Sequence, residues 1–478
     1  MFFSVQENLN YFKKQFNDNF DIVSRELTLN TTKIGILFNK SMIDKEVFVT
    51  AVLSPLMDYN KQEKITSKKL SNDILKMFEI NIASTDEDAI TKLTENNVLI
   101  FVEGEKISLC LDLEKAPVRM PTEPPTSPVI RGPREGFVED IKTNIGLIRL
   151  RLKTEHLAIK NFEVGRYTKT KVCVFALKGV ADDKIVEKVC KKIQNIDIDG
   201  IIDSHYILSF LQEGGGLLFK QVGTSEKPDV IAAKMLEGRV AIVVDGSPIV
   251  LTVPFIILED LQSANDYYTN PLYVALVRII RGIGIILTII LPGVFLSFRL
   301  YHYKALPLKY LITISNSTQG LPFSPFIEMV FILLLFQILY EVSLRLPRYL
   351  GIATSIVGAL ILGDTGVKAG LISPPVVIIV AMSMISIYTI PDQAPQLTVL
   401  RWIFIGLGGT LGLLGIVGGM IFFINEMNSL NLFGSAYLAP FSPRVKPDLE
   451  DSVFKRSITE MRYRPQSFKN KNKVRLKK

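Results

Sequence analysis

Two rhythms of apolar and polar residues divide the 478-residue chain. In the first half, short runs of β-branched and aromatic residues alternate with charged stretches at helical spacing. "KIGILF" (33–38) and "KVCVFAL" (171–177) are such runs, each followed by a helix-like segment mixing acids and bases, an α/β pattern. Later in each half, "VLIFVEGEKISL" (98–109) and "VAIVVDGSPIVL" (240–251) align without a gap and share six of twelve residues. Gly104 and Gly246 fall at the same position, where a tight turn between strands needs positive φ. The hairpins are 142 residues apart and the leading strands 138. The pattern predicts two related α/β subdomains, residues 1–115 and 134–262, joined by a linker over 116–133. Five prolines from Pro117 to Pro128 favour extended, semi-rigid geometry there.

The rhythm changes after the second hairpin. Leu276–Phe298, Phe326–Leu344 and Trp402–Ile424 each reach the roughly 20 residues a membrane-spanning helix needs. Ile352–Leu371 and Val376–Ile390 are further apolar runs, broken between Gly363 and Pro375. Gly363, Gly366 and Lys368 resemble a phosphate-cradling loop only superficially. Asp364 follows Gly363 and membrane-length runs flank the stretch, so a nucleotide-binding loop is rejected in favour of a helix break. Residues 263–426 are read as an all-α transmembrane bundle of four to six segments, and 427–478 as a basic cytoplasmic tail.

Composition supports that division. A 48% hydrophobic fraction beside 21% charged residues is an average over two populations, charge-dense before about residue 261 and charge-poor after 277. From Arg444 to Lys478 there are twelve Lys/Arg against four Asp/Glu, which equals the whole net charge of +8. No recognition motif accompanies it, so nucleic acid is excluded as a partner. The tail marks topology and can meet anionic lipid. Tail and soluble half both on the cytoplasmic side would require an even number of crossings, whereas five runs are visible. The N-terminus is polar and has no secretory h-region. Cys110, Cys173 and Cys190 lie in apolar contexts without metal-ligand spacing, which predicts reduced, buried thiols.

Several groups stand out as candidate functional residues. Gly132-Pro133 predicts a helix start, with Glu135 near the positive end of the dipole and Phe137, Ile141, Ile145, Ile148 and Leu152 on one face. The stretch Arg131, Gly132, Pro133, Arg134, Glu135, Gly136 and Phe137 either docks a structural helix or makes charge-assisted contacts between domains or subunits. Glu328 and Glu341 are ionisable groups within apolar runs, which need a cavity, a partner or an interface; Glu341 has Arg345 at helical spacing. Thr354 and Thr365 would lie within about 20° on an ideal helix, with Val357, Gly358 and Ile361 between them. That face either lines a pore with a dewetting constriction or packs through small residues. Gly408, Gly412, Gly415 and Gly419 predict one smooth face for close helix packing. No catalytic or metal constellation is visible, and no cofactor is implied.

"RGPREGFVEDIKTNIGLIRLRLK", "KPDVIAAKMLEGRVAIVVDGSPIVLTVP", "DYYTNPLYVALVRIIRGIGI" and "GLISPPVVIIVAMSMISIY" together resemble the A subunits of GerA-family spore germinant receptors. The resemblance runs from about residue 30 to 450 and is weaker over the first hundred residues. Lys227 stands where the family more often has Arg. The resemblance implies a multi-pass protein of the spore inner membrane, with its soluble half and tail on the core side. It implies a transporter-like B subunit and a lipoprotein C subunit as partners, homo-oligomerisation, and ion conduction when nutrient is sensed, rather than enzyme activity. A stage V sporulation relative with the same architecture works beside dipicolinate release. An accessory or scaffold subunit without its own conduction is therefore the alternative.

Overall fold

The computed structural model describes residues 1–29, 31–59, 63–77, 79–113, 131–213, 218–346, 358 and 360–476. Pro117–Pro128, Thr354 and Val357 lie outside the described residues.

The soluble region repeats one plan. Its first unit runs α1 (Val5–Gln15), β1 (Ile22–Leu29), β2 (Thr32–Asn39), β3 (Ile80–Ala83), α2 (Asp86–Thr94), β4 (Val98–Val102) and β5 (Ser108–Leu111). The second runs α3 (Ile141–Arg151), β6 (Leu157–Val164), β7 (Thr170–Leu177), α4 (Asp183–Gln194), α5 (Ser204–Leu211), β8 (Gly223–Ser225), α6 (Pro228–Leu236), β9 (Val240–Val244) and β10 (Val250–Val253). The sheets have the orders β1-β2-β4-β5-β3 and β6-β7-β9-β10-β8, all antiparallel. The two aligned hairpins thus occupy matching places, turning at Gly104 (φ 89°) and Gly246 (φ 85°). Helices cover both faces of each sheet, which is why β4 and β9 read as unbroken apolar runs instead of alternating. Cys110, Cys173 and Cys190 are free and buried in these units, and burial pushes the Cys173 thiol up to about 12.

The helix expected from Pro133 begins later. Asp140 accepts a hydrogen bond from Thr143 N at 2.8 Å and caps α3, leaving 131–139 non-helical. A side-chain acceptor for the free N–H groups outweighed the Pro preference for a first turn. From α3, Arg149 reaches Asp21 of the first unit through Nε (2.7 Å) and Nη2 (2.9 Å), both residues buried. Asn19 completes the seam by pairing with the edge of β6, donating to Leu157 O and accepting from Ile159 N.

Among the described residues, the apolar half contains three helices long and apolar enough to cross a membrane. The first run is two helices, α7 (Pro271–Ile289) and α8 (Leu291–Leu300), because Pro292 cannot continue the hydrogen-bond ladder. After α9 (Leu308–Thr318), α10 (Pro325–Arg345) returns. α11 (Pro374–Ser386) also returns, with Ser383 Oγ donating to Thr288 O of α7 at 2.9 Å. Ile361–Thr365 is a π turn.

The last apolar run, α12 (Ala394–Ser429), is not a straight span. Gly412 has φ 66° and ψ −148°, and the chain reverses there. Phe404 and Phe423 have ring centroids 5.7 Å apart, where a straight helix would separate them by about 28 Å. The glycines make this reversal possible instead of presenting one face. Gly408 lies against the Gly293 backbone, Gly415 against Leu407 O, and Gly419 against Leu407 and Phe404. The returning limb ends beside the second α/β unit, with Phe423, Phe219, Phe255 and Tyr437 in one cluster. Residues 430–476 then fold onto that unit, with Ile256, Leu258, Ala439 and Phe468 packed together. The basic tail is therefore part of the soluble assembly, on the same side as both sheets.

Gly412→Ala tests the reversal. Its φ/ψ pair is nearly exclusive to glycine, so the substitution should cost about 1–3 kcal/mol. A lower Tm of the purified protein in detergent is expected, and an unchanged one would speak for a straight span.

Candidate functional site

The two halves meet at a layer of buried charge. Its first part grows from the segment linking β10 to α7. Ser263 and Asp266 form a reciprocal cap on the short helix Ala264–Tyr268, and Asn270 then caps α7 through Leu272 N at 2.9 Å. These caps aim the Asp266 carboxylate at α7, where Arg278 and Arg281 share a face one turn apart. Arg278 Nε lies 3.0 Å from Asp266 Oδ2, and Arg281 bonds both Asp266 oxygens at 2.8 and 2.9 Å. The tail closes the cage. Arg278 Nη1 donates to Asp451 Oδ1 (3.0 Å), Asp451 O (2.8 Å) and Ser452 O, while Lys455 Nζ donates to Asp266 O at 2.7 Å. Tyr267 donates to Asp451 Oδ2 at 2.8 Å, and burial with that carboxylate beside it raises the Tyr267 phenol. The Arg278 side chain is 0% exposed.

The second part lies under α6 and β10. Glu259 takes Lys234 Nζ at 2.8 Å and Arg239 Nη1 at 2.8 Å. Burial alone would raise this carboxyl, but Arg239 and Lys234 outweigh it and hold Glu259 below the usual range. The Arg239 guanidinium stacks on Phe468 of the tail, 4.1 Å from the ring centre. Next to it, Asp260 accepts from Gln393 Nε2 at 2.6 Å, and Lys220 Nζ lies 3.9 Å from Asp392. Gln393 and Asp392 belong to the turn between α11 and α12. A cavity of about 460 Å³ opens between these groups, lined by Lys220, Phe255, Asp260, Tyr267, Arg281 and Asp392 among others.

The sequence-derived candidates distribute around this layer. Arg131 and Arg134 are exposed; Glu135 pairs with Arg151 of α3 at 2.6 Å; Phe137 is in the core of the second unit. Pro133 O accepts from Lys227 Nζ at 2.8 Å, and Gly132 (φ 108°) lies against the Tyr268 ring. Gly136 is partly exposed beside them. The stretch thus joins the second unit to the junction within one chain. Glu341 is exposed and pairs with Arg345 at 2.6 Å. Glu328 is fully buried at the distal end, between Arg299 Nη1 (2.5 Å) and Ser373 N (2.6 Å) and Oγ (2.5 Å). Gly358 packs on Leu339 of α10, and Thr365 is exposed. The π turn at 361–365 means that the ideal-helix alignment of Thr354 with Thr365 does not carry across it.

Three participants were missed. Arg278 and Arg281 read as charges flanking a span, although their i,i+3 spacing behind Asp266 was visible. Arg401, the sole base in the last run, is 0% exposed, with Nη2 3.2 Å from Gln337 Oε1 and Nη1 against Met384 Sδ.

A duplicated α/β region bolted by buried ion pairs to an apolar helical bundle defines a membrane protein with a large soluble half. The chain belongs to the Bacillus/Clostridium GerA spore germination protein family, matched over residues 10–467. Spore germination protein KA of Bacillus subtilis (strain 168) is 30% identical, over 99% of this chain and 88% of that protein. Spore germination protein XA of Bacillus anthracis is 31% identical over 91% and 89%. Among solved structures, the N-terminal domain of the A subunit of the Bacillus megaterium spore germinant receptor GerK3 is similar at 28% identity. It covers 52% of this chain and 95% of that chain, with a TM-score of 0.42.

Arg278→Met should strand Asp451 and loosen the tail. Breaking a buried pair costs about 3–5 kcal/mol, so faster limited proteolysis within residues 444–476 and a lower Tm are expected. Unchanged cleavage would show that the apolar contacts alone hold the tail.

Proposed function

We propose that this chain is the A subunit of a spore germinant receptor, coupling nutrient sensing to ion release across the spore inner membrane. Family membership over nearly the whole chain carries this reading, because relatives that it matches over most of their length include spore germination proteins KA and B1 of Bacillus subtilis. The junction supports it physically. A soluble half bound to α7 by buried ion pairs, and to the α11–α12 turn by the Asp260–Gln393 hydrogen bond, can pass a rearrangement to the bundle without unfolding. In this reading a transporter-like B subunit and a lipoprotein C subunit are the partners. The chain acts as a homo-oligomer, with soluble half and tail on the core side, and no step of the function is enzymatic.

The conducting path is proposed along Thr354, Val357, Gly358 and Ile361, with Thr365 at the end of the π turn beyond them. Apolar side chains there would hold the path dry until the subunits move. Val357→Ala and Ile361→Ala should each widen and wet it. Expected outcomes are faster cation leakage from dormant spores and germination without nutrient, read by flame photometry and by loss of optical density. Wild-type leakage and nutrient dependence in both variants would refute that path, and purified oligomers without ion flux in liposomes would favour an accessory subunit.

A further inference from the structure

Length and apolarity mark α7 as a membrane span, but its contacts among the described residues place the second half, not the first, within the bundle. Gly284 lies against Ser386 and Thr389 at the end of α11, and Thr288 O accepts from Ser383. Further along, Gly293 of α8 meets Phe404 and Gly408 of α12, and Tyr301 donates to Gly409 O at 2.8 Å beside the reversal. In the other direction from Gly284, the partners change. Arg281 and Arg278 meet Leu261, Asp266, Asp451 and Ser452, which belong to the segment leaving β10 and to the tail. From Gln393 to Gly412, α12 is about 28 Å long, which already fills a hydrocarbon core of about 30 Å. The first half of α7 therefore stands outside that core, with Leu272 about 18 Å beyond Gly284 along the axis.

This half carries an apolar seam that no described residue covers. Leu272, Leu276, Ile279, Ile283 and Ile286 follow a four-three-four-three spacing, and all are exposed, Leu272 by 83%. Tyr273 and Ile280 widen the seam along one side. Buried Val274 and Arg278 lie on the face turned to the soluble assembly. We propose that the seam packs α7 against the α7 helices of further copies of this chain, parallel and in register. This rests on the homo-oligomer reading above and names the surface through which the copies meet. The spacing is a coiled-coil heptad, with Leu276 and Ile283 at a and Leu272, Ile279 and Ile286 at d. Ile at d beside Leu or Ile at a favours more than two strands. Acyl chains do not reach the upper seam, because it lies beyond the hydrocarbon core. Its lower end, at Ile283 and Ile286, enters the core, so the partner needs an apolar helix that crosses the lipid surface at the same height. A second copy presents one by construction. A contiguous apolar patch of this kind outside lipid marks an interaction site.

The test uses the purified full-length chain in detergent. Cys110, Cys173 and Cys190 are buried, so an introduced cysteine reports alone. Parallel strands set identical seam residues side by side. Leu276→Cys and Leu272→Cys should therefore form covalent dimers under mild oxidation, read on denaturing gels. Tyr167→Cys, exposed in the β6–β7 turn and away from the seam, should not. Leu276→Glu should weaken self-association by about tenfold or more, read by mass photometry, as loss of a central apolar anchor does. An oligomeric wild type whose seam cysteines cross-link no better than Tyr167→Cys would overturn the seam and leave the receptor reading standing. An oligomer unchanged by Leu276→Glu would do the same, and would assign the seam to a different protein or to the lipid surface. A wild type that is monomeric in detergent and in lipid nanodiscs would overturn the seam together with the homo-oligomer reading. Should Leu276→Glu fail to fold, the cysteine variants decide alone.

Discussion

A guanidinium removed wholly from water has to be met by acceptors, and Arg278 imposes that requirement on two other parts of the chain. Asp266 is delivered by the segment leaving β10, and Asp451 and Ser452 by the tail more than 170 residues later. Arginine stays ionised under all ordinary conditions, so the cage cannot be relieved by losing a proton. The tail must therefore return to the face from which α7 departs. From that constraint follow the reversal at Gly412 and the packing of Phe468 under Arg239.

The duplicated sheets provide the rigid base for that cage. Two faces of buried side chains and a seam made by Asp21–Arg149 leave the second unit little freedom relative to the first. The second unit alone carries the junction residues Lys234, Arg239 and Glu259. The repeat is thus structural in plan and asymmetric in use: one copy braces the other, and the other holds the bundle.

Much of this plan was legible in the chain because it rests on local patterns. Hairpins declare themselves through alternating runs around a positive-φ glycine, and membrane helices through length and apolarity. The α3 start was misplaced because Pro133 and Asp140 both suit a helix N-terminus, and capping by a side chain won. The reversal of α12 was hidden because glycines at helical period look the same whether they smooth one face or let a chain fold back on itself. Arg278, Arg401 and the tail contacts depend on residues far apart in sequence, and no local rhythm records such pairing. Family resemblance was recoverable for a different reason: long stretches around the hairpin and the α7 start are held by just these contacts.

The distribution of charge within the bundle shows where it can move. Directional polar contacts pin it at the soluble end, through Arg278 and Gln393, and at the distal end, through Arg299, Glu328 and Ser373. Between them, apart from the Ser383–Thr288 hydrogen bond, helices meet through glycine backbones and apolar side chains, which slide at small cost compared with breaking a buried ion pair. Arg401 is the exception. The four acids between 276 and 424 are Glu328, Glu341, Asp364 and Asp392, and each already has a basic partner. Arg401 is left with the amide of Gln337 on α10 and the thioether of Met384 on α11. A cation held so weakly ties three helices together without locking them. Arg401 lies eight residues beyond Gln393, about two turns along α12, and so places a buried charge inside the bundle just past the junction.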